Sequence, residues 1–372
     1  MPSSPETKTM KAARLYRFDD IRIEEIPVPE VGPTDALIKT KACGICSGDV
    51  MPWYVEKKAP LVLGHEPAGE IVELGKEVHG SVSGVRRKDK HDLLRNSELG
   101  TPDFRIGDRV FVHHHAPCME CRYCRKSDYV QCETWQGSRI IPGGISEYIL
   151  VPEINLRNDT LLLPKETSYE DGTLVEPAAC VVKSFRRASV RRGDTVLVIG
   201  LGVMGQMHVL LAREFGAGKV IGADMVQFRL NKALEFGADH VIDVTREDLP
   251  ERVKILTEGL MADVVVVGPN SADAMQRGMG VVSRGGKLVL FTPAKPGEQL
   301  SVDPNFLYFR DITIVTSYSC GPTDTSDALR LIKAGVVTAE KLVTHRFPIE
   351  KTADAFALTA RAEDSLKSVI VF

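Results

Sequence analysis

Short apolar runs separated by polar breaks divide the chain into two patterns. Up to about residue 155 the runs "ALIKTKACGI", "AGEIVELG", "DRVFVHH" and "SEYILVP" are short, β-like and broken by Gly and Pro, which predicts a mostly β module. From residue 193 onward six apolar runs, "TVLVIG", "KVIGAD", "HVIDV", "ADVVVVG", "KLVLFT" and "ITIVTS", follow one another. Most are separated by helix-like stretches such as "MGQMHVLLAREFG" and "FRLNKALEFG". Continuous apolar strands alternating with helices predict a parallel sheet covered on both faces. The last segment, "SDALRLIKAGVV" through "SLKSVIVF", predicts two helices and a final strand and fits a return to the first module. Residues 79–104 interrupt the β pattern with a polar, charge-rich stretch. It reads as a long loop, either a solvated insertion or a lid or subunit contact.

With 372 residues the chain has room for two domains, each with its own core, and a cleft between them. The expected division is 1–177 with 320–372 as one domain and 178–319 as the other. Hydrophobic content of 43%, charged content of 26% and a net charge of −3 describe a globular protein without a basic excess. Nucleic acid and anionic membrane are therefore poor partners. No apolar run approaches the roughly 20 residues of a membrane span, and the first residues lack the apolar core of a secretory signal. A cytoplasmic enzyme is expected.

"VLVIGLGVMGQ" places Gly200, Gly202 and Gly205 as G-x-G-x-x-G after a strand and at the start of a helix. The first glycine makes the turn, the second admits a pyrophosphate, and the third lets helix and strand pack. The helix N-terminus then offers free N–H groups to phosphates. The next strand ends in Asp224, an acid placed to accept from both ribose hydroxyls and to repel a 2′-phosphate, so NAD is expected over NADP. Arg229 could pair with such a phosphate but more plausibly flanks the adenine.

The eight cysteines are unevenly spread. "CMECRYCRKSDYVQC" carries Cys118, Cys121, Cys124 and Cys132, four thiolates able to close a tetrahedron around a structural zinc. A zinc ribbon contacting nucleic acid or a partner uses similar spacing, but the near-neutral charge argues against it. A catalytic zinc needs ligands that leave a position open. The candidates are Cys46 in "CGICSGDVMPWY", His65 and Glu66 in "LGHEPAGE", and Glu176 in "LVEPAAC". Taken alone, Cys43 and Cys46 are a redox pair, half of a zinc knot, or one ligand beside a bystander.

The combination of "CGICSGD", "LGHEPAGEIVELG", "GDRVFV", the four-cysteine loop, "GGISEY", "VEPAA", "GLGVMG" and "VTHRFPIEKTADAF" resembles the zinc-dependent medium-chain dehydrogenases. Among them it is most similar to the sorbitol (polyol) and threonine branch. The likeness covers essentially the whole chain apart from 79–104. It implies an α/β protein with a GroES-like β-rich catalytic domain, a Rossmann doubly wound parallel sheet, and the active site in the cleft beside it. It further implies that Cys46 and His65 are catalytic zinc ligands and that Glu66 is a third or exchanging ligand. Glu176 would bind the zinc directly or through its water, and Cys43 would be the bystander. Two zinc ions per chain, one catalytic and one structural, and a homodimer or homotetramer are expected. The implied chemistry is oxidation of an alcohol, with zinc as Lewis acid and the nicotinamide as hydride acceptor.

"MPWY" is expected to line the substrate pocket through Trp53 or Tyr54, with core packing of that Trp as the alternative. Of His113, His114 and His115, successive strand residues would face opposite sides, so at most two share a ligand face. Two departures from the family pattern matter. Ser317 precedes Tyr318 where polyol enzymes commonly have arginine, which puts sorbitol itself in doubt. Gly48 stands where a relay hydroxyl is usual, which shifts the proton acceptor to Glu66 or Glu176 rather than Ser47. A threonine-type 3-hydroxy-amino-acid dehydrogenase, and a zinc-stabilised NAD-binding protein without turnover, are the competing readings.

Overall fold

The computed structural model describes residues 8–78 and 103–372, so the 79–104 insertion lies outside the described residues but for its last two positions. In chain order the first strands are β1 (Thr9–Arg17), β2 (Asp20–Pro27), β3 (Ala36–Gly44), β4 (Leu61–Val62), β5 (Glu66–Leu74), β6 (Arg109–Val112), β7 (Tyr148–Val151) and β8 (Thr160–Leu162). Six more follow: β9 (Thr195–Ile199), β10 (Lys219–Asp224), β11 (His240–Asp243), β12 (Ala262–Val267), β13 (Val282–Leu290) and β14 (Thr313–Thr316). The last two are β15 (Val343–Pro348) and β16 (Lys367–Val371).

Strands β9 to β14 are the six apolar runs read from the sequence, and they form one parallel sheet in the order β11-β10-β9-β12-β13-β14. Side chains alternate across a strand, and the two cores follow that alternation. Val196, Val198, Val264 and Val266 pack in one cluster, with Leu197, Ile199, Val265 and Val267 in another on the opposite face. Burial on both faces is why these strands are almost uninterrupted Val, Ile and Leu. The helices Val175–Ala188 and Val203–Ala212 cover the first face, and Leu249–Leu256 and Ala272–Met279 cover the second.

The earlier strands build an antiparallel body. β1 pairs with β2 and β4, and a larger sheet runs β15-β16-β3-β5-β6-β8, with β7 also on β3. The C-terminal strand does return to this body: β16 lies antiparallel to β3, with Val369 opposite Gly44 and Ile370 opposite Cys43. That pairing brings residues from the chain's end beside the segment Gly44–Asp49 and the start of β5.

Candidate active site and metal centres

The four-cysteine loop folds as its spacing predicts. The Sγ atoms of Cys118, Cys121, Cys124 and Cys132 lie within 4.8 Å of one another. The Cys121–Cys124 separation is 3.5 Å and that of Cys118–Cys132 is 3.6 Å. Amides point inward as donors: Cys121 N–H donates to Cys118 Sγ at 3.3 Å, and Cys118 N–H donates to Cys132 Sγ at 3.4 Å. Desolvation opposes the Cys132 thiolate, but the backbone N–H groups of Cys118 and Trp135, with the neighbouring Cys118 and Cys124 thiols, outweigh it and bring that thiol down to about 6. Inward N–H groups and four sulfur donors suit a closed tetrahedral zinc. Tyr129, Val130 and Trp135 form a small core beneath the loop.

A second cluster assembles from separate elements. Cys46 comes from the loop after β3, His65 from the turn before β5, and Glu66 from its first residue; their ligand atoms also lie within 4.8 Å of one another. Asp49 Oδ2 sits 3.2 Å from His65 Nδ1, which turns Nε2 toward the cleft. Burial opposes a charged His65 ring, yet Asp49 and Cys46 outweigh it and raise its affinity for a proton well above the usual range. The site therefore attracts positive charge. Glu66 is fully buried; its Oε2 pairs with Lys367 Nζ, which also donates to Ile45 O at 3.0 Å. Its Oε1 has no hydrogen-bond partner among the described residues. A sulfur, an imidazole nitrogen and an orphaned buried carboxylate oxygen are a donor set that fits zinc.

Glu176 enters from the first turn of the helix Val175–Ala188. Its ligand oxygen groups with His113 and His114, and with Cys180 and Cys320, rather than with Cys46. It nonetheless lines the same cavity as Cys46 and His65, a cleft of about 900 Å³ whose other wall is Met204 and Phe291–Pro293 from the parallel-sheet body. Cys43 is buried, with its thiol donating to Gly44 O, and belongs to a core cluster.

The histidine run divides differently from strict strand alternation because β6 ends at Val112. His113 is buried, its Nδ1 2.6 Å from Asp159 Oδ2, and Asp159 in turn accepts from Thr325. His114 and His115 both line the cleft. Burial, reinforced by neighbouring charges, holds His114 well below its usual pKa and His115 at about 3, so both rings are neutral. The His114 ring lies 4.8 Å from that of His65 and 4.1 Å from that of His115. Of the pair Trp53 and Tyr54, Tyr54 lines the cleft; Ser317 and Tyr318 do so as well.

At the glycine motif Gly200 has φ +85°, and a Cβ on Gly205 would lie 2.0 Å from Gly200 O, so that position admits only glycine. Gly202 precedes the helix Val203–Ala212. Asp224 ends β10, but its carboxylate is already used by the backbone. Oδ2 accepts from Leu201 N–H at 2.6 Å, and Oδ1 accepts from the N–H groups of Met225 and Val226 at 2.7 and 2.9 Å. The Arg229 guanidinium stands 3.8 Å from Asp224, and its buried Nε has no partner. Sequence reasoning gave no role to Asp49 or Lys367. Asp49 is visible in "CSGD", but nothing local marks Lys367, which is 301 positions from Glu66.

Residues 32–87 and 95–160 match the family model of the alcohol dehydrogenase GroES-like domain, and residues 203–334 match that of the zinc-binding dehydrogenase. A sorbitol dehydrogenase of Bombyx mori is 31% identical over 374 residues, covering 96% of this chain and 97% of its own. Among solved structures, 2R,3R-butanediol dehydrogenase from Bacillus subtilis aligns with TM-score 0.81 at 25% identity, over 98% of this chain and 99% of that one. A protein described as a zinc-binding dehydrogenase from Sinorhizobium meliloti 1021, bound to NADP, aligns with TM-score 0.83 at 25% identity, over 98% and 100%.

Proposed function

Since the chain belongs to the zinc-binding dehydrogenases, with an alcohol dehydrogenase GroES-like part ahead of the dinucleotide-binding part, we propose that Cys46, His65 and a carboxylate of Glu66 or Glu176 hold its catalytic zinc. The reaction is oxidation of a polyol or other secondary alcohol to a ketone, with a nicotinamide dinucleotide as acceptor. The observation that carries the assignment is the Cys46–His65–Glu66 cluster opening onto a cleft whose far wall belongs to the dinucleotide-binding sheet.

When bound, zinc supplies Lewis acidity that eases loss of the alcohol proton, and the nicotinamide accepts the hydride. Around them the chain's own residues orient and shield. Asp49, 3.2 Å from His65 Nδ1, orients the ring electrostatically with Nε2 toward the cleft. Lys367 neutralises one oxygen of Glu66 and leaves the other for the metal. Trp135, Phe291 and Met204 exclude water from the reacting end. Gly48 offers no hydroxyl to take the alcohol proton, so a carboxylate does, and Glu176 is better placed than Glu66 because Lys367 already occupies Glu66. Asp224 at the end of β10 is held at the glycine turn by three amide donors, and each carboxylate oxygen keeps lone-pair capacity for a ribose hydroxyl, which supports NAD over NADP.

The domain division 1–177 with 320–372, and 178–319, draws support from the pairing of β16 with β3 and from the β9–β14 sheet; the helix Val175–Ala188 runs across the first boundary. A homodimer or homotetramer draws support from β14, the edge strand of that sheet, with Tyr308 and Phe309 nearby at 77% and 70% exposure. Cysteines gathered in metal-ligand groups rather than disulfides favour the reducing cytoplasm. No helix among the described residues is long and apolar enough to cross a membrane. The threonine reading needs an unengaged acid for the substrate's ammonium. Of the acids lining the cleft, Asp49 faces His65 at 3.2 Å and Glu176 accepts from the Cys180 thiol and is assigned here to the alcohol proton, so neither is set aside for an ammonium.

Metal analysis with a panel of alcohols, polyols and 3-hydroxy amino acids, assayed with NAD, tests the proposal. Two zinc ions per chain and turnover of secondary alcohols are expected. One zinc and no turnover would leave only a zinc-stabilised nucleotide-binding protein.

A further inference from the structure

The cleft is charged beyond its metal donors. Its lining includes two cations, Lys58 and Arg139, while its acids are Asp49, held by His65, and Glu176, held among the metal-ligating groups. Among the described residues neither cation pairs with a carboxylate. Lys58 Nζ lies 3.7 Å from the centre of the Tyr54 ring. Arg139 Nη1 donates to the carbonyls of Ser138 and Gln136 at 2.6 and 2.7 Å and touches His115, and among the described residues the Nε–Nη2 edge of the guanidinium meets no acceptor. That edge is the fork that binds an oxyanion in two parallel hydrogen bonds.

The two cations stand at the ends of a continuous aromatic wall. Tyr54, beneath Lys58, lines the cleft together with Tyr318. Tyr318 packs edge-on to Trp135 at 5.9 Å, and Trp135 lies 4.2 Å from His115, which Arg139 contacts. The carbonyl bonds of Arg139 hold its head in place against this wall rather than leaving it free in solvent. From Arg139 back to the metal donors the path is His115, His114 and His65, two ring spacings. A charge held there sits several carbons from a hydroxyl at the zinc.

We propose that the alcohol this enzyme oxidises carries a terminal anionic group, a phosphate monoester or a carboxylate, received by Arg139 and Lys58 at the mouth of the cleft. The proposal rests on the dehydrogenase reading above and narrows it to charged polyol derivatives. It also gives a physical sense to Ser317, a small neutral residue where an arginine would suit an uncharged polyol. Here Arg139 and Lys58 supply the cations instead.

The test uses the zinc-loaded full-length protein with NAD and three matched sets: xylitol and glucitol, their terminal phosphates, and the corresponding aldonates. Binding of glucitol 6-phosphate is measured in parallel by calorimetry at low and high salt. One charged set is expected to exceed the neutral polyols in kcat/KM by about 10-fold or more, and its affinity should weaken as salt rises. Preference for the phosphates assigns a phosphate monoester, and preference for the aldonates a carboxylate. Arg139→Gln and Lys58→Gln should each cut the charged-to-neutral ratio by about 10- to 100-fold, with partial recovery in Arg139→Lys. Equal kcat/KM for all three sets would overturn the proposal, as would a ratio unmoved in both variants. A rise in the KM for NAD with the ratio unmoved would also overturn it, because the two cations would then serve the cofactor. If no alcohol is oxidised but glucitol 6-phosphate still binds, and binding is lost in Arg139→Gln, the anion site stands and the dehydrogenase reading fails. Absence of both turnover and binding would remove both.

Discussion

The four-cysteine loop and the Cys46 cluster use related donors for opposite ends. In the loop, all ligands fall between Cys118 and Cys132, amides of the same segment donate to the sulfurs, and four thiolates leave no open position. In the cluster, one sulfur, one imidazole and a carboxylate come from different elements, and one side faces a cavity of about 900 Å³. The first is a local fold that a metal would close. The second draws its candidate ligands from separate elements, with Asp49 beside His65 and Lys367 paired to Glu66. Closure and openness follow from where the supporting groups come from.

The sharpest way to break this contrast is to exchange the damage. Cys46→Ser or His65→Ala should lower kcat by about 10³-fold or more while leaving a folded protein that still binds NADH, as followed by fluorescence titration. Cys121→Ser should instead lower the melting temperature and the soluble yield, because an incomplete thiolate set forfeits much of the roughly 10 kcal/mol available to a structural zinc. Equal unfolding in both groups would erase the distinction. Glu176→Gln is expected to reduce kcat by about 10²-fold and to alter the pH profile, if this carboxylate receives the alcohol proton. An unchanged profile would move that role to Glu66. Asp49→Asn should cost about 10-fold or more in zinc affinity or turnover, since it removes the charge that orients His65, with little effect on the four-cysteine site by metal analysis. Ser47→Ala is the smallest change. Ser47 is exposed at the rim of the cleft, and its loss should leave kcat within about 2-fold. A large loss would place the relay hydroxyl one residue before Gly48.

The parts legible in the sequence share a property: their physics is short-range. Strands β9 and β12 read as unbroken Val, Ile and Leu because both of their faces are buried. Gly200 and Gly205 read as a nucleotide turn because the backbone conformation at one and the close packing at the other exclude a side chain. The four cysteines read as a zinc loop because a single short segment can close around one ion. Where reading by periodicity failed, the element had ended. Alternation was expected across His113, His114 and His115, but β6 stops at Val112, and the last two histidines reach the same cavity.

Composition, the two repeating patterns and the short motifs were enough to establish the fold class and to point to a dinucleotide turn, a four-cysteine loop suited to zinc and candidate donors for a second metal. They could not say which of those donors meet. Glu66 is pinned by Lys367 only because β16 returns 301 residues later to lie beside β3, and Asp224 spends its carboxylate on three amides only because the turn after β9 passes next to it. The same holds for Arg139 and Lys58, far apart in sequence and ordinary surface cations by type, which become a charged mouth once the aromatic wall from Tyr54 to His115 is packed between them. Pairing energies fall off within a few ångströms. Partners remote in the chain therefore leave no local pattern to read, and only the packed structure brings them within reach.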